Sequence, residues 1–137
     1  MKRVVLDTNV IASFLTDRDP GQQAKAAALL DAAARREIEI LLPQLVLAEL
    51  VYVLQNLYQV PREETAATLR DLLALPGLRT VDALPWPRVL ELWPARIPDF
   101  ADAGLAAVCE HERFDAIATF DATFRRRLSR LGLASHW

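Results

Sequence analysis

Four carboxylates stand where an apolar chain has least reason to place them. Glu49 lies inside Leu45-Val46-Leu47-Ala48-Glu49-Leu50-Val51-Tyr52-Val53-Leu54. At about 100° per residue, Gln44, Gln55 and Gln59 share one helix face, and Glu49 falls roughly 100° from its centre among Leu45, Val46, Tyr52 and Val53. An ionised carboxylate there costs several kcal/mol unless it lies at the edge of the wet face or is compensated. No lysine or arginine lies between Glu39 and Arg62, so compensation must come from elsewhere in the fold or from a bound cation. Asp7 follows Val4-Val5-Leu6, Asp121 follows Ala118-Thr119-Phe120, and Asp102 shares a helical stripe with Leu105, Ala106 and Cys109. Each aspartate alone also reads as a helix cap or a first-turn acid. Together they read differently. Two unit charges 4 Å apart interact by about 4 kcal/mol at an effective dielectric near 20. A converging set of four must hold protons or bind hard cations. Carboxylate and water oxygens suit Mg²⁺ or Mn²⁺, and such ions can activate water for an in-line phosphoryl displacement.

What is missing argues against other chemistries of acid-bearing α/β sites. Phosphoaspartate sites need a late lysine to pair with the phosphate, and no lysine follows Lys25. The turn after the first strand has no glycine, which rules out a dinucleotide fingerprint or a phosphate-cradling loop there. There is no G-x-S-x-G elbow. One cysteine, Cys109, permits no disulfide within the chain, and it reads as core; with only His111 and His136 beside it, a zinc site is not available either.

The elements that must position these acids are readable from punctuation. Arg3–Leu6 is a short β-branched strand ending on Asp7, and a helix follows over roughly 8–16. Asp19-Pro20 opens a helix that runs to about Arg36. Ile38–Leu42 is a strand stopped by Pro43, which begins a helix to about Gln59. Pro61 begins another, ended by Pro76-Gly77, and Leu78–Val81 suits a third strand. Four prolines confine the next helix to about Arg88–Trp93. Asp99–Glu112 is helical in pattern, Ala116–Phe120 is a fourth strand, and a last helix covers roughly 122–131. Alternating strands and helices imply one domain over 1–137, a three-layer α/β/α sandwich with a mostly parallel sheet of four or five strands. Ligands of such sheets sit beyond the carboxyl ends of the strands, where Asp7 and Asp121 are predicted to lie.

Composition bounds the partners. Sixteen basic against eighteen acidic residues give a net charge of −2, which argues against binding nucleic acid through bulk positive charge. Setting the four acids aside leaves two fewer acids than bases, so a near-neutral total can hide an acidic pocket with arginine-bearing flanks. No stretch is long and apolar enough to span a bilayer, and nothing at the start reads as a signal peptide. A cytoplasmic protein without a membrane partner is the expectation.

Read together, these residues resemble the PIN-domain nucleases. The strand ending in Asp7-Thr8-Asn9 is similar to their opening motif. Glu49 in Ala-Glu-Leu, Asp102 in Asp-Ala-Gly-Leu and Asp121 in Thr-Phe-Asp match their second, third and fourth acids in order. The compact size is similar to VapC-type toxins of bacterial toxin–antitoxin pairs. The resemblance implies an endoribonuclease dependent on Mg²⁺ or Mn²⁺, with water as nucleophile and products bearing 5′-phosphate and 3′-hydroxyl groups. By the same resemblance, Asp7, Glu49, Asp102 and Asp121 hold the metal and orient water, while Thr8 or Asn9 and Thr119 support them by hydrogen bonds. Asp99, three residues before Asp102, is a candidate further acid whose capping role suffices by itself. Arg125, Arg126 and Arg127 are candidate RNA contacts. The resemblance also implies a homodimer and a cognate antitoxin protein, with Trp86, Trp93 and the helix bearing Tyr52 and Tyr58 as contact surface unless these aromatics are core. Gly104 replaces the bulkier residue expected after Asp-Ala. The alternatives are a PIN-like binding module with little catalysis, and a metal-dependent DNA nuclease or phosphatase using the same acids.

Overall fold

A computed structural model describes all residues, 1–137. The chain alternates as expected: β1 (Lys2–Leu6), α1 (Thr8–Leu15), α2 (Pro20–Ala34), β2 (Ile38–Pro43), α3 (Gln44–Asn56), α4 (Arg62–Leu73), β3 (Leu78–Val81), α5 (Trp86–Leu92), α6 (Phe100–His111), β4 (Ala116–Ala118), α7 (Ala122–Arg130) and β5 (Ala134–Ser135). The five strands form one sheet in the order β3-β2-β1-β4-β5. Every pairing is parallel, so the sheet is parallel throughout. The fifth strand comes from a two-residue segment that carries no alternation to read; it pairs Ala134 with Ala116 and Ser135 with Ile117.

A parallel sheet must be covered on both faces, and its strands are therefore apolar without alternation. Val4, Val5 and Leu6 in β1, Ile40, Leu41 and Leu42 in β2, and Ala116, Ile117 and Ala118 in β4 are all buried. Helix α1 packs on α2 and α3, α3 on α4, and both α2 and α3 lie on β2, while α5 packs on α6, α6 on β4 and α7 on β5. Crossovers run outward from β1 to β3, then the chain returns across the sheet to β4 and β5. The direction reverses between β1 and β4. The crevice beyond their carboxyl ends is the switch point where such sheets bind ligands.

Helix α5 begins at Trp86 rather than about Arg88 and α2 ends at Ala34 rather than about Arg36, and two further boundaries differ from the sequence reading. Helix α3 stops at Asn56 rather than about Gln59, because Gln59 turns to φ 52° and leads the chain away. Strand β4 ends at Ala118 rather than Phe120: beyond Ala118 the chain leaves the ladder, and the Phe120 amide donates instead to Asn9 Oδ1 at 3.1 Å. One turn is fixed by a glycine. Gly77 has φ +82°, and a Cβ there would run into the Ala33 carbonyl.

Candidate active site

The three aspartates that read as helix caps are caps. Asp7 accepts from the Thr8 amide at 2.7 Å, Asp99 from the Asp102 amide at 3.0 Å, and Asp121 from the Thr123 and Phe124 amides at 2.8 and 3.1 Å. The capping and site readings are not alternatives. Asp7, Glu49, Asp99, Asp102 and Asp121 all line one cleft of about 240 Å³. The N-termini of α1, α6 and α7 therefore meet around it, and their partial positive charge offsets part of the repulsion among the acids. Glu49 reaches the cleft from α3, half-buried at the edge of the apolar face, as its helical angle predicts.

The acids differ in support. Asp7 is buried and takes three hydrogen bonds: from the Thr8 amide, from Thr119 Oγ1 at 2.7 Å, and from Asn9 Nδ2 at 3.2 Å. Burial nevertheless raises its pKa to about 6, opposed by the Thr119 and Thr8 bonds and assisted by the charges of Glu49 and Asp121. Asp102 is less buried, and no hydrogen bond to its carboxylate offsets the loss of solvent. Burial first, then the charges of Asp7, Asp99, Asp121 and Glu49, push it to about 8. The charges of the other four acids thus all act on Asp102, and those of Glu49 and Asp121 on Asp7 as well.

Asn9 and Thr119 form the supporting bridge. Asn9 Nδ2 donates to both Asp7 Oδ2 and Thr119 Oγ1, and Thr119 Oγ1 also accepts from the Asp121 amide at 3.1 Å. Thr8 contributes only its backbone amide: its hydroxyl is buried and has no hydrogen-bond partner.

A hard divalent cation fits this donor set. The cleft offers carboxylate oxygens and no sulfur or imidazole, and the Thr8 hydroxyl on its wall is an orphan that an ordered water around an ion would satisfy. The acids do not close by themselves: no three His, Cys, Asp or Glu side chains form a finished metal shell. An ion among them would offset the repulsion that Asp7, Glu49, Asp99 and Asp121 exert on Asp102.

Of the arginines expected near the site, Arg125 donates to the Thr119 carbonyl at 3.2 Å and Arg126 to Thr123 Oγ1 at 3.1 Å; Arg127 sits in the last turn of α7. Sequence reasoning missed Arg18, the one basic residue lining the cleft. It lies in the polar loop Thr16-Asp17-Arg18-Asp19, where no spacing connects it to the acids.

Gly104 also acquires a role. A Cβ there would lie 2.9 Å from Leu45 Cδ2, so the glycine lets α6 approach α3. Leu45 is one turn before Glu49, and Gly104 two residues after Asp102. The close approach of the two helices therefore lies beside two of the acids. The aromatics, in contrast, are not core. Trp86, Trp93 and Phe100 form an exposed cluster with ring centroids 5.8 Å (Trp86–Phe100) and 5.4 Å (Trp93–Phe100) apart. Tyr52 and Leu57 are exposed as well.

A family model of the PIN domain matches residues 4–127, and the chain belongs to that family. All four acids, from Asp7 to Asp121, fall inside the matched region. No curated protein matches. Among solved structures, the chain is similar to VapBC2 from Rickettsia felis bound to a DNA fragment from their promoter: 18% identity over 98% of this chain and 97% of that one, TM-score 0.67. It is similar to Mycobacterium tuberculosis VapC20, a Sarcin-Ricin loop cleaving toxin, at 18% identity over 96% of both chains, TM-score 0.65. It is also similar to a Pyrobaculum aerophilum protein, at 18% identity over 92% of this chain and 84% of that one, TM-score 0.63. At such identity these likenesses speak for the fold.

Proposed function

We propose that the chain is an endoribonuclease dependent on Mg²⁺ or Mn²⁺ and the toxin of a type II toxin–antitoxin pair of the VapC type, acting in the cytoplasm. The observation that carries this reading is the convergence of Asp7, Glu49, Asp102 and Asp121 on one cleft at the β1–β4 switch point. A bound divalent ion would supply the positive charge that draws a phosphodiester towards the acids and activates water. The chain's own residues do the rest. Asp7 is held in one orientation by Thr119 and Asn9. Glu49 from α3, Asp102 from α6, Asp121 and the further acid Asp99 line the same cleft. Hydrolysis adds one water across the P–O3′ bond, leaving a 5′-phosphate and a 3′-hydroxyl. Arg125, Arg126 and Arg127 flank the site on α7 as phosphate contacts.

Two of the similar structures are VapC20, a Sarcin-Ricin loop cleaving toxin, and VapBC2 bound to promoter DNA, which supports an antitoxin partner here. The exposed Trp86–Phe100–Trp93 cluster adjoins an apolar groove of about 600 Å³ lined by Leu45, Ala48, Val81 and Leu84 among others. This is the surface proposed to meet the antitoxin or a second copy in a homodimer. No helix is long and apolar enough to cross a membrane.

The deciding assay compares RNA cleavage by wild type, Asp7→Asn and Glu49→Gln with Mg²⁺ or Mn²⁺. Loss of cleavage in both variants supports the reading; equal cleavage by all three sinks it. The same assay on DNA and small phosphoesters separates a DNA nuclease or phosphatase. Absence of Mn²⁺ binding by calorimetry would favour a binding module instead.

A further inference from the structure

We propose that Arg18 grips a phosphate of the RNA that enters the acid cleft. The inference rests on the nuclease reading and adds to it the group that offsets the repulsion between an anionic substrate and an anionic site.

Five carboxylates and one guanidinium line the cleft. In a cavity so acidic, an arginine would be expected to pair with an acid. Arg18 takes part in none of the molecule's ion pairs. Its partners are all neutral: Nη2 donates to the Asn9 carbonyl at 3.3 Å and to Ser13 Oγ at 3.1 Å, and Nη1 donates to the Tyr58 hydroxyl at 3.3 Å. These contacts tie the loop after α1 to α1 itself and to the segment after α3. They fix the guanidinium at the mouth without neutralising it. Three of its five N–H donors are engaged, and the others remain free. A held, planar cation with free donors suits a phosphate oxygen better than a mobile lysine would. Ser13 is fully buried, and its hydroxyl also donates to Gln22 Oε1 at 3.1 Å, so the anchor of Arg18 is itself anchored. Tyr58 is a positioning residue: its hydroxyl acts on Arg18 rather than on substrate.

The test measures binding of a fluorescein-labelled single-stranded RNA of mixed sequence by anisotropy over a range of NaCl concentrations with Mn²⁺ present. The full chain carries Glu49→Gln in every arm so that the probe survives. Adding Arg18→Ala is expected to weaken binding about tenfold and to reduce the slope of log K against log salt by about 0.7, the value of one phosphate contact on a single strand. Arg18→Lys is expected to keep the slope while losing part of the affinity, and Tyr58→Phe to lose two- to threefold without changing the slope. Arg18→Gln, which removes charge but keeps bulk, separates the result from any loss of folding. An unchanged slope in both Arg18→Ala and Arg18→Gln overturns the proposal. Should the wild-type chain hydrolyse no RNA while the slope still changes, the hydrolase reading fails and the phosphate contact stands. Absence of RNA binding in every arm overturns both.

Discussion

Thr119 Oγ1 donates to Asp7 Oδ2 at 2.7 Å, joining two residues 112 positions apart in the chain. The bond spans the seam where β1 and β4 pair in parallel, just past their last ladder partners, Leu6 and Ala118. Asn9 closes the same bridge from α1, and its Oδ1 takes the Phe120 amide that β4 would otherwise use for one more ladder position. Shortening the strand is thus the cost of orienting the carboxylate.

Removing the hydroxyl should therefore loosen the site. Thr119→Val is expected to lower metal affinity and cleavage by about 10–100-fold, the usual cost of losing a group that orients a metal-binding side chain. Stability should fall by about 1–3 kcal/mol, because Asp7 and Asn9 lose a buried partner. Thr119→Ser should restore both. Mn²⁺ titration and denaturant midpoints on the three proteins provide the comparison, and a Val variant that binds Mn²⁺ normally would count against the bridge.

Without metal, stability should fall as pH rises. Unfolded, Asp7 and Asp102 lose their protons near 3.8; folded, they keep them to about 6 and about 8. In between, the folded chain binds more protons than the unfolded one, so the contribution of these groups is complete below about pH 4 and is lost through pH 6 and 8. Asp102→Asn should flatten the upper part of this decline and raise stability at pH 8.5 by about 1–2 kcal/mol, discounted for partial exposure. Thermal melts in EDTA from pH 5 to 9 read it directly. Parallel profiles for both proteins would contradict the burial and neighbouring charges that hold the Asp102 proton.

Divalent metal should reverse that loss. Mn²⁺ at about 100 times its Kd is expected to add about 2.7 kcal/mol, a rise of roughly 8–10 °C in Tm. Asp7→Asn combined with Glu49→Gln should abolish the rise. A melt that responds equally in the double variant would locate the ion elsewhere.

The two structural glycines should fail differently. Gly77→Ala combines a left-handed φ with a collision against Ala33 backbone and should cost at least about 2 kcal/mol, with little effect on specific activity. Gly104→Val presses on Leu45 and should cost about 1–3 kcal/mol. It should also lower cleavage per folded molecule, because it separates α3 from α6 and hence Glu49 from Asp102. Denaturant melts alongside activity corrected for the folded fraction distinguish the two.

Much of the framework was legible locally. Pro20 and Pro43 mark helix starts and Pro76-Gly77 a stop, and the uninterrupted apolar runs at Val4–Leu6 and Leu41–Leu42 are those of a parallel sheet covered on both faces. Strand β5 was not legible, because two residues of Ala-Ser carry no periodicity and pair only because β4 already stands there. The aromatics Trp86 and Trp93 could be core or surface by composition alone; packing put them on the surface.

For the site, the sequence by itself determined which acids are out of place: a glutamate on an apolar helix and aspartates at strand ends are anomalies that burial energetics make visible one residue at a time. Tertiary structure decided that those anomalies share one cleft, that the capping aspartates cap and face it at once, and that Arg18 joins them. Convergence depends on the strand order β2-β1-β4, which brings residue 7 beside residue 119 through backbone hydrogen bonds between segments over a hundred residues apart. Local periodicity carries no record of such pairing, and an exposed arginine in a polar loop has no burial anomaly to reveal it.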